Sequence, residues 1–147
     1  MDIELVLKQW SEECAINTHD LVATSRDTPL LHAKYLHTLS RAKLSLKKAQ
    51  LDQKTLLLHK WKYYNGKLDE VEVTATGWDL DPLDGLKVMK GEMDRYYDAD
   101  KEIQASEGDI AYHKVCVETL TDIVDNLRFR ANTISNIIKI KTFEAGG

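Results

Sequence analysis

Residues 110–138 read IAYHKVCVETLTDIVDNLRFRANTISNII, and apolar side chains recur along this stretch at alternating spacings of three and four. The spacing predicts an α-helix with a coiled-coil seam over four heptads. We therefore expect one long helix over residues 100–141. Only His113 is polar on the seam, and we interpret it as a packed or register-setting residue. The seam consists of Ile110, His113, Val117, Leu120, Val124, Leu127, Ala131, Ile134 and Ile138.

A second apolar line, formed by Cys116, Ile123, Ile137 and Ile140, lies beside this seam. A helix with two adjoining seams can contact one neighbour on each side, so we predict a homo-oligomer. The residues expected to hold the copies together are Val117, Leu120, Val124, Leu127, Ile134 and Ile138.

An upstream segment also predicts a long helix. Thr28 and Pro29 provide an N-cap and a first helical residue, and neither glycine nor proline recurs before Gly66. A helix of 36 residues from Pro29 to Tyr64 would be about 54 Å long and needs a partner helix to bury its apolar face. The fold class predicted is all-α, with long helices packed as a helical hairpin.

We expect a single domain over residues 1–147, because this length suits one core. Between residues 67 and 99, residues 71–74 could form a short strand and residues 86–97 a weak helix. The predicted segments are an N-terminal packing helix (1–28), a basic long helix (29–66), an acidic connector (67–99), a C-terminal oligomerisation helix (100–141) and a tail (142–147).

Charge is distributed unevenly along the chain, whose formal net charge is −4. Residues 32–67 contain nine Lys or Arg residues and one acid, whereas residues 68–109 contain four basic and thirteen acidic residues. A basic helix of this kind predicts either a phosphate-binding surface or a solvated face that pairs with acidic segments.

The basic helix ends in Lys60–Gly66, KWKYYNG, where two lysines alternate with three aromatic residues. Because bases stack on aromatic rings while lysines follow phosphates, this composition favours binding of single-stranded DNA. We expect Tyr63 to be the exposed stacking residue, and Trp61 and Tyr64 to face the core. The candidate DNA-binding residues are Lys34, Arg41, Lys48, His59, Lys60, Lys62, Tyr63 and Lys67.

The motifs of the common enzyme classes are absent from the sequence, including nucleotide-binding glycine loops, HExxH and GxSxG. Asp79–Gly85 superficially resembles a calcium loop, but Leu83 and Lys90 occupy ligand positions. Cys14 and Cys116 are expected to be reduced thiols packed as small hydrophobes. We therefore predict no enzymatic activity, no cofactor and no metal, and the short apolar runs predict no membrane span or export signal.

Five pieces of the chain together resemble the UvsY family, the recombination mediators of large tailed phages. Their order and spacing and the total chain length agree with that family, although none of the pieces is a catalytic signature. The pieces are Leu31–Leu36 (LHAKYL), Lys43, Tyr63–Gly66 (YYNG), Asp98–Lys101 (DADK) and Phe143–Gly146 (FEAG).

This resemblance implies an all-helical protomer in a ring-like or open-barrel homo-oligomer of six or seven copies, without enzymatic activity. It implies three partners in the cytoplasm of an infected bacterial host: single-stranded DNA, a phage RecA-like recombinase and the phage single-strand-binding protein. The family's basic residues before the Tyr-Tyr pair correspond here to Lys60 and its neighbours. Leu58 departs from the basic pattern, and His59 and Lys62 would supply the missing charge.

The competing interpretation is a structural coiled-coil scaffold without DNA binding. In a scaffold, the basic helix would dock against the acidic connector of a neighbouring copy. The two interpretations differ in whether the basic side chains are left free for phosphates.

Overall fold

Every regular element of this protein is an α-helix, so the predicted all-α class is confirmed. The computed structural model describes residues 1–147. The chain divides into two compact units: residues 1–45 with 113–147 form the first, and residues 46–112 form the second. The helices are α1 (Ile3–Glu13), α2 (Leu21–Tyr64), α3 (Glu70–Thr76), α4 (Met93–Ala99) and α5 (Lys101–Glu144).

The start of α2 differs from the expected start at Pro29. The helix begins at Leu21, where the Asp20 carboxylate accepts a hydrogen bond from the Ala23 N–H at 3.0 Å. Pro29 therefore lies inside the helix and removes one backbone N–H. Because both Pro29 and Ser25 are exposed, water can satisfy the carbonyl that loses its partner.

Residues 71–74 are helical, so the predicted strand is wrong. The Asp69 side chain accepts a hydrogen bond from the Glu72 N–H, and the Glu72 side chain accepts one from the Asp69 N–H. This capping box satisfies two donors that a strand would leave to a neighbouring strand. Gly77, in the left-handed conformation at φ 77°, ends α3 after two turns.

The core of the first unit is built on the seam of α5. Residues from α2 and α5 form one buried cluster, and the N-terminal helix α1 packs against it. The Trp10 ring of α1 meets the Tyr35 ring edge-on, with centroids 5.4 Å apart. The cluster consists of Tyr35, Leu39, Ala42, Cys116, Leu120, Ile123, Val124 and Leu127.

This core uses the residues that we expected to join neighbouring copies. Leu120 is 0% exposed, and Val124 and Leu127 are equally enclosed by the chain's own helices. They cannot contact another copy while the core is intact. Val117 is half-buried and Ile134 is buried, whereas Ile138 is about half exposed and remains available.

The two cysteines also have different environments. Both are free thiols, as expected. Cys116 is buried in the core, but Cys14 is exposed at the end of α1, so the prediction that both are packed holds for Cys116 alone.

The second unit joins the end of α2 to the start of α5. The two ends lie together because Lys60 and Tyr64 of α2 contact Asp100, which directly precedes α5. Within this unit the helices are thus arranged as the two arms of a helical hairpin. The connector between them contains α3, an irregular stretch over residues 77–92, and α4, which is shorter than the helix expected over residues 86–97.

Candidate nucleic-acid interface

The segment KWKYYNG forms the last turn of α2 and its C-cap. Gly66 adopts φ 66°, and the Lys67 N–H donates to the Lys62 carbonyl at 2.8 Å while the Gly66 N–H donates to the Tyr63 carbonyl at 3.1 Å. These bonds satisfy carbonyls that the end of the helix would otherwise leave free. The predicted helix end at Asn65-Gly66 is confirmed.

Lys60 is buried, with 4% of its surface exposed, so it is not presented to phosphates. Its ammonium nitrogen lies 3.0 Å from Asp100 Oδ2 and 3.6 Å from Glu102 Oε1. The same nitrogen stands over the Trp78 ring, 3.8 Å from its centroid. Two carboxylates and an indole face therefore satisfy a charge that we had predicted to be exposed.

Tyr63 is also buried, at 7% exposure, which corrects the expectation that it is an exposed stacking residue. Its hydroxyl donates to the Asp79 carbonyl at 2.5 Å, and its ring lies 4.9 Å from that of Trp78. The Tyr64 hydroxyl donates to Asp100 Oδ2 at 2.7 Å, and burial followed by this bond raises the pKa of Tyr64. Tyr63 thus ties α2 to the connector, and Tyr64 ties α2 to the residue that precedes α5.

Asp100 is the acceptor at the centre of this cluster. Its Oδ1 accepts the N–H groups of Glu102 and Ile103, each at 3.0 Å, which caps α5. Burial alone would raise the pKa of this carboxyl, but the bonds from Tyr64 and Ile103 and the ammonium of Lys60 outweigh it. The pKa of Asp100 is consequently lowered.

This lowered pKa predicts acid sensitivity. The ionised form is favoured in the folded chain, so its stabilising contribution is present above the pKa of an unfolded Asp, about 3.9, and is lost as pH falls through the lower folded value. Urea unfolding between pH 7 and pH 3 should show a decline in the free energy of unfolding that Asp100→Asn reduces. Asp52→Asn, an exposed control, should keep the wild-type decline. Superimposable profiles for Asp100→Asn and the wild type would contradict the prediction.

Trp61 has the exposure that we expected of Tyr63. Its side chain is 40% exposed, and Lys67 stands over its ring with the ammonium 5.5 Å from the centroid. The prediction that Trp61 faces the core is therefore wrong. A pairing of this kind combines a flat apolar face with a positive charge at the end of α2.

The outer face of α2 in the second unit is basic. We give this name to Lys47, Lys54, Trp61 and Lys62, together with the adjoining Lys67, all of which are exposed. Lys47, Lys54 and Trp61 are spaced seven apart, so they lie on one side of the helix, and Lys62 lies beside them. Lys47, Lys54 and Lys62 form no ion pair. Sequence reasoning missed Lys47 and Lys54, although their heptad spacing with Trp61 was a readable signal.

Other predicted DNA-binding residues have mixed environments. Lys48 is exposed and pairs with Asp52 at 2.7 Å, while His59 is half-buried with its ring 4.8 Å from that of Trp78. In the first unit, Lys34 is held by Glu13, and Arg41 is exposed without an ion pair.

No group of three or more His, Cys, Asp or Glu side chains is arranged to hold a metal ion. None of the helices combines the length and apolar character that crossing a membrane requires.

The sequence profile of one protein family, described as "Recombination, repair and ssDNA binding protein UvsY", matches residues 9–147. The chain belongs to the UvsY family. Its membership rests on a match that covers both units and both long helices.

Three crystal structures of the bacteriophage T4 recombination mediator protein UvsY, from three lattice types, have the same fold. The first is 21% identical with a TM-score of 0.82, and the alignment covers 99% of this chain and 98% of the T4 chain. The second is 19% identical with a TM-score of 0.79, covering 98% and 99%. The third is 20% identical with a TM-score of 0.79, covering 94% and 97%. No curated protein sequence matches this UvsY-family chain.

Proposed function

We propose that this UvsY-family chain is a recombination mediator that binds single-stranded DNA through the outer face of α2. The observation that supports this most is the row of exposed lysines, Lys47, Lys54 and Lys62, none of which pairs with an acid of the chain. Free ammonium groups on one helical face can neutralise successive phosphates of a strand.

Trp61 gives this face a preference for unpaired strands. Its exposed ring offers a surface on which a base can stack, and bases in a duplex are already stacked. Lys67 is positioned to contact a phosphate next to the stacked base, because its ammonium lies 5.5 Å from the ring centroid.

In this proposal Lys60 has a positioning role and does not contact DNA. Its pairing with Asp100 and Glu102 fixes the last turn of α2 against the start of α5. Trp61 and Lys62, the next two residues of α2, are thereby held on its exposed side.

Assembly of several copies would raise the affinity for DNA of an outer face of α2 that binds weakly in a single copy. We propose that six or seven copies gather in a ring or open barrel, so that a strand held by one copy meets its neighbours at high local concentration. A strand bent over successive copies would then be transferred from the phage single-strand-binding protein to a RecA-like recombinase in the cytoplasm of the infected host. Each step is one of binding, and none requires catalysis.

The scaffold hypothesis has support in this structure as well, because Lys34, Lys48 and Lys60 pair with acids of the same chain. Titration of a fluorescent oligothymidylate with the purified chain separates the two hypotheses. A mediator should give saturable binding that weakens with salt at a slope of about −0.7 per phosphate neutralised. Binding that is absent at low ionic strength would favour the scaffold. Mass measurement with and without the oligonucleotide gives the number of copies.

A further inference from the structure

A cavity of about 430 Å³ opens beside the cluster that holds Lys60, within the second unit. None of the lysines of the outer face of α2 lines it. Its volume lies within the range of small-molecule sites, about 300–1,000 Å³. We call it the aromatic cavity, because its wall contains four rings, those of Tyr63, Tyr64, Trp78 and Tyr96, together with the carboxylates of Asp79 and Asp100.

The four rings of the aromatic cavity pack on one another. The Tyr63 ring centroid lies 4.9 Å from that of Trp78 and 5.1 Å from that of Tyr64. The Tyr64 centroid in turn lies 5.7 Å from that of Tyr96. Because the face of an aromatic ring carries partial negative charge, a wall of this kind attracts cations.

The chain itself shows which kind of cation these rings accept. The ammonium of Lys60 lies 3.8 Å from the Trp78 centroid and 5.6 Å from the Tyr63 centroid. Lys60 is the only basic residue that lines the aromatic cavity. A primary ammonium on a methylene chain is therefore a group that this wall already binds.

The carboxylates around the aromatic cavity outnumber this ammonium. Lys60 lies 3.0 Å from Asp100 and 3.6 Å from Glu102, so it is shared between two carboxylates. Asp79 forms no ion pair. Burial, followed by the charge of Asp79, raises the pKa of Tyr63, which places the Asp79 carboxylate close to the rings. One positive charge thus faces three negative charges, and a further cation is favoured.

We propose that the aromatic cavity binds a polyamine, with an ammonium paired to Asp79 and the methylene chain against the rings. The shape of the surface favours a polyamine over a small cation. A second cavity, of about 440 Å³, shares Tyr63, Tyr64 and Pro82 with the aromatic cavity and is also lined by Asp81. Joined cavities that each contain a carboxylate suit a ligand with several ammonium groups on one flexible chain. This site is separate from the proposed strand-binding face, and its occupation does not depend on DNA.

Charge excludes a DNA strand from the aromatic cavity. Phosphates that approached it would face the carboxylates of Asp79, Asp100 and Glu102, and the ammonium of Lys60 is already paired.

Isothermal titration calorimetry of the full chain with spermidine tests the proposal, without DNA and with magnesium chloride in excess. The magnesium screens diffuse attraction of spermidine to the acidic chain. We expect saturable binding at one site. Asp79→Asn removes the paired carboxylate and Tyr96→Leu removes a ring face, so each should weaken spermidine binding about tenfold.

Two matched variants separate these contacts from general effects. Tyr96→Phe keeps the ring face and should bind spermidine as the wild type does. Asp98→Asn removes the same charge from an exposed acid that does not line the aromatic cavity, and it should also leave binding unchanged. Asp79→Asn keeps the backbone carbonyl that accepts the Tyr63 hydroxyl, so its fold should be retained. The midpoint of thermal unfolding checks the fold of every variant.

Absence of saturable binding would overturn the proposal, and so would equal affinities of Tyr96→Leu and Tyr96→Phe or of Asp79→Asn and Asp98→Asn. Nα-acetyl-lysine methylamide, which presents the ammonium of a protein side chain, should bind at least about tenfold more weakly than spermidine, because it has one ammonium. Equal affinity for this probe would assign the cavity to a lysine of a partner protein and would exclude a polyamine site. Strand binding is measured separately, by titration with oligothymidylate in the absence of spermidine.

Discussion

Replacing Lys60 with methionine should lower the free energy of unfolding by about 3 kcal/mol, at the lower end of the range for breaking a buried ion pair. The substitution keeps an apolar side chain of similar length but leaves Asp100, which is 7% exposed, without its cation. Asp100 would retain the Tyr64 hydroxyl and two backbone N–H donors, and these bonds limit the loss.

Urea denaturation at pH 7 measures this effect, with Lys62→Met as the matched control. Lys62 lies two residues away, is exposed and has no ion pair, so its replacement should change stability by about 0.5 kcal/mol or less. Combining Lys60→Met with Asp100→Asn should cost less than the sum of the two single changes, because the uncompensated charge is then absent. Equal losses for Lys60→Met and Lys62→Met would show that the buried pair contributes little.

Lys60→Met also tests whether Lys60 positions the outer face of α2 or contacts DNA itself. In the proposed function Lys60 neutralises no phosphate, so Lys60→Met at a temperature where it is folded should retain the wild-type dependence of DNA affinity on salt. A flatter dependence would mean that the cluster opens and that Lys60 reaches the strand.

The long helices could be predicted from sequence because periodicity over several heptads and a Gly66 C-cap are strong local signals. The start of α2 could not, since Thr28-Pro29 is a good local start, but Asp20, whose carboxylate accepts the Ala23 N–H, provides an earlier one. The short strand expected at residues 71–74 was wrong for a related reason: four residues of alternating pattern are weaker than a capping box with both of its bonds formed.

The sequence contains a signal that Lys60 and Tyr63 are buried, but we predicted both to be exposed. The seam of α2 runs through Tyr35 and Leu39 in a four-three repeat, and continuing that repeat leads to Lys60 and Tyr63. Both are therefore on the buried side, and Trp61 is not. What the sequence lacked was the partner, because Trp78 lies eighteen residues after Lys60 and Asp100 lies forty residues after it. A lysine with no acidic residue nearby in the sequence is predicted to be exposed.

The largest effect on DNA binding is expected from changing Lys47, Lys54 and Lys62 together to alanine. If each lysine neutralises one phosphate, the salt slope should flatten by about 2, which corresponds to about a hundredfold loss of affinity at 0.1 M salt for each protomer engaged. Stability should change little, because all three side chains are exposed and form no ion pair. Measurement of oligothymidylate affinity between 0.05 and 0.3 M salt gives both quantities.

The matched control changes three exposed lysines outside the outer face of α2, namely Lys87, Lys90 and Lys101. This control removes the same charge from the same unit, so it corrects for the effect of net charge on affinity. Trp61→Ala tests the remaining element of the face: it should weaken binding by about 1–3 kcal/mol at every salt concentration without changing the slope, since stacking neutralises no phosphate. If the control triple flattens the slope as much as the Lys47, Lys54, Lys62 triple does, the strand responds to the charge of the whole unit and the outer face of α2 is not its binding site.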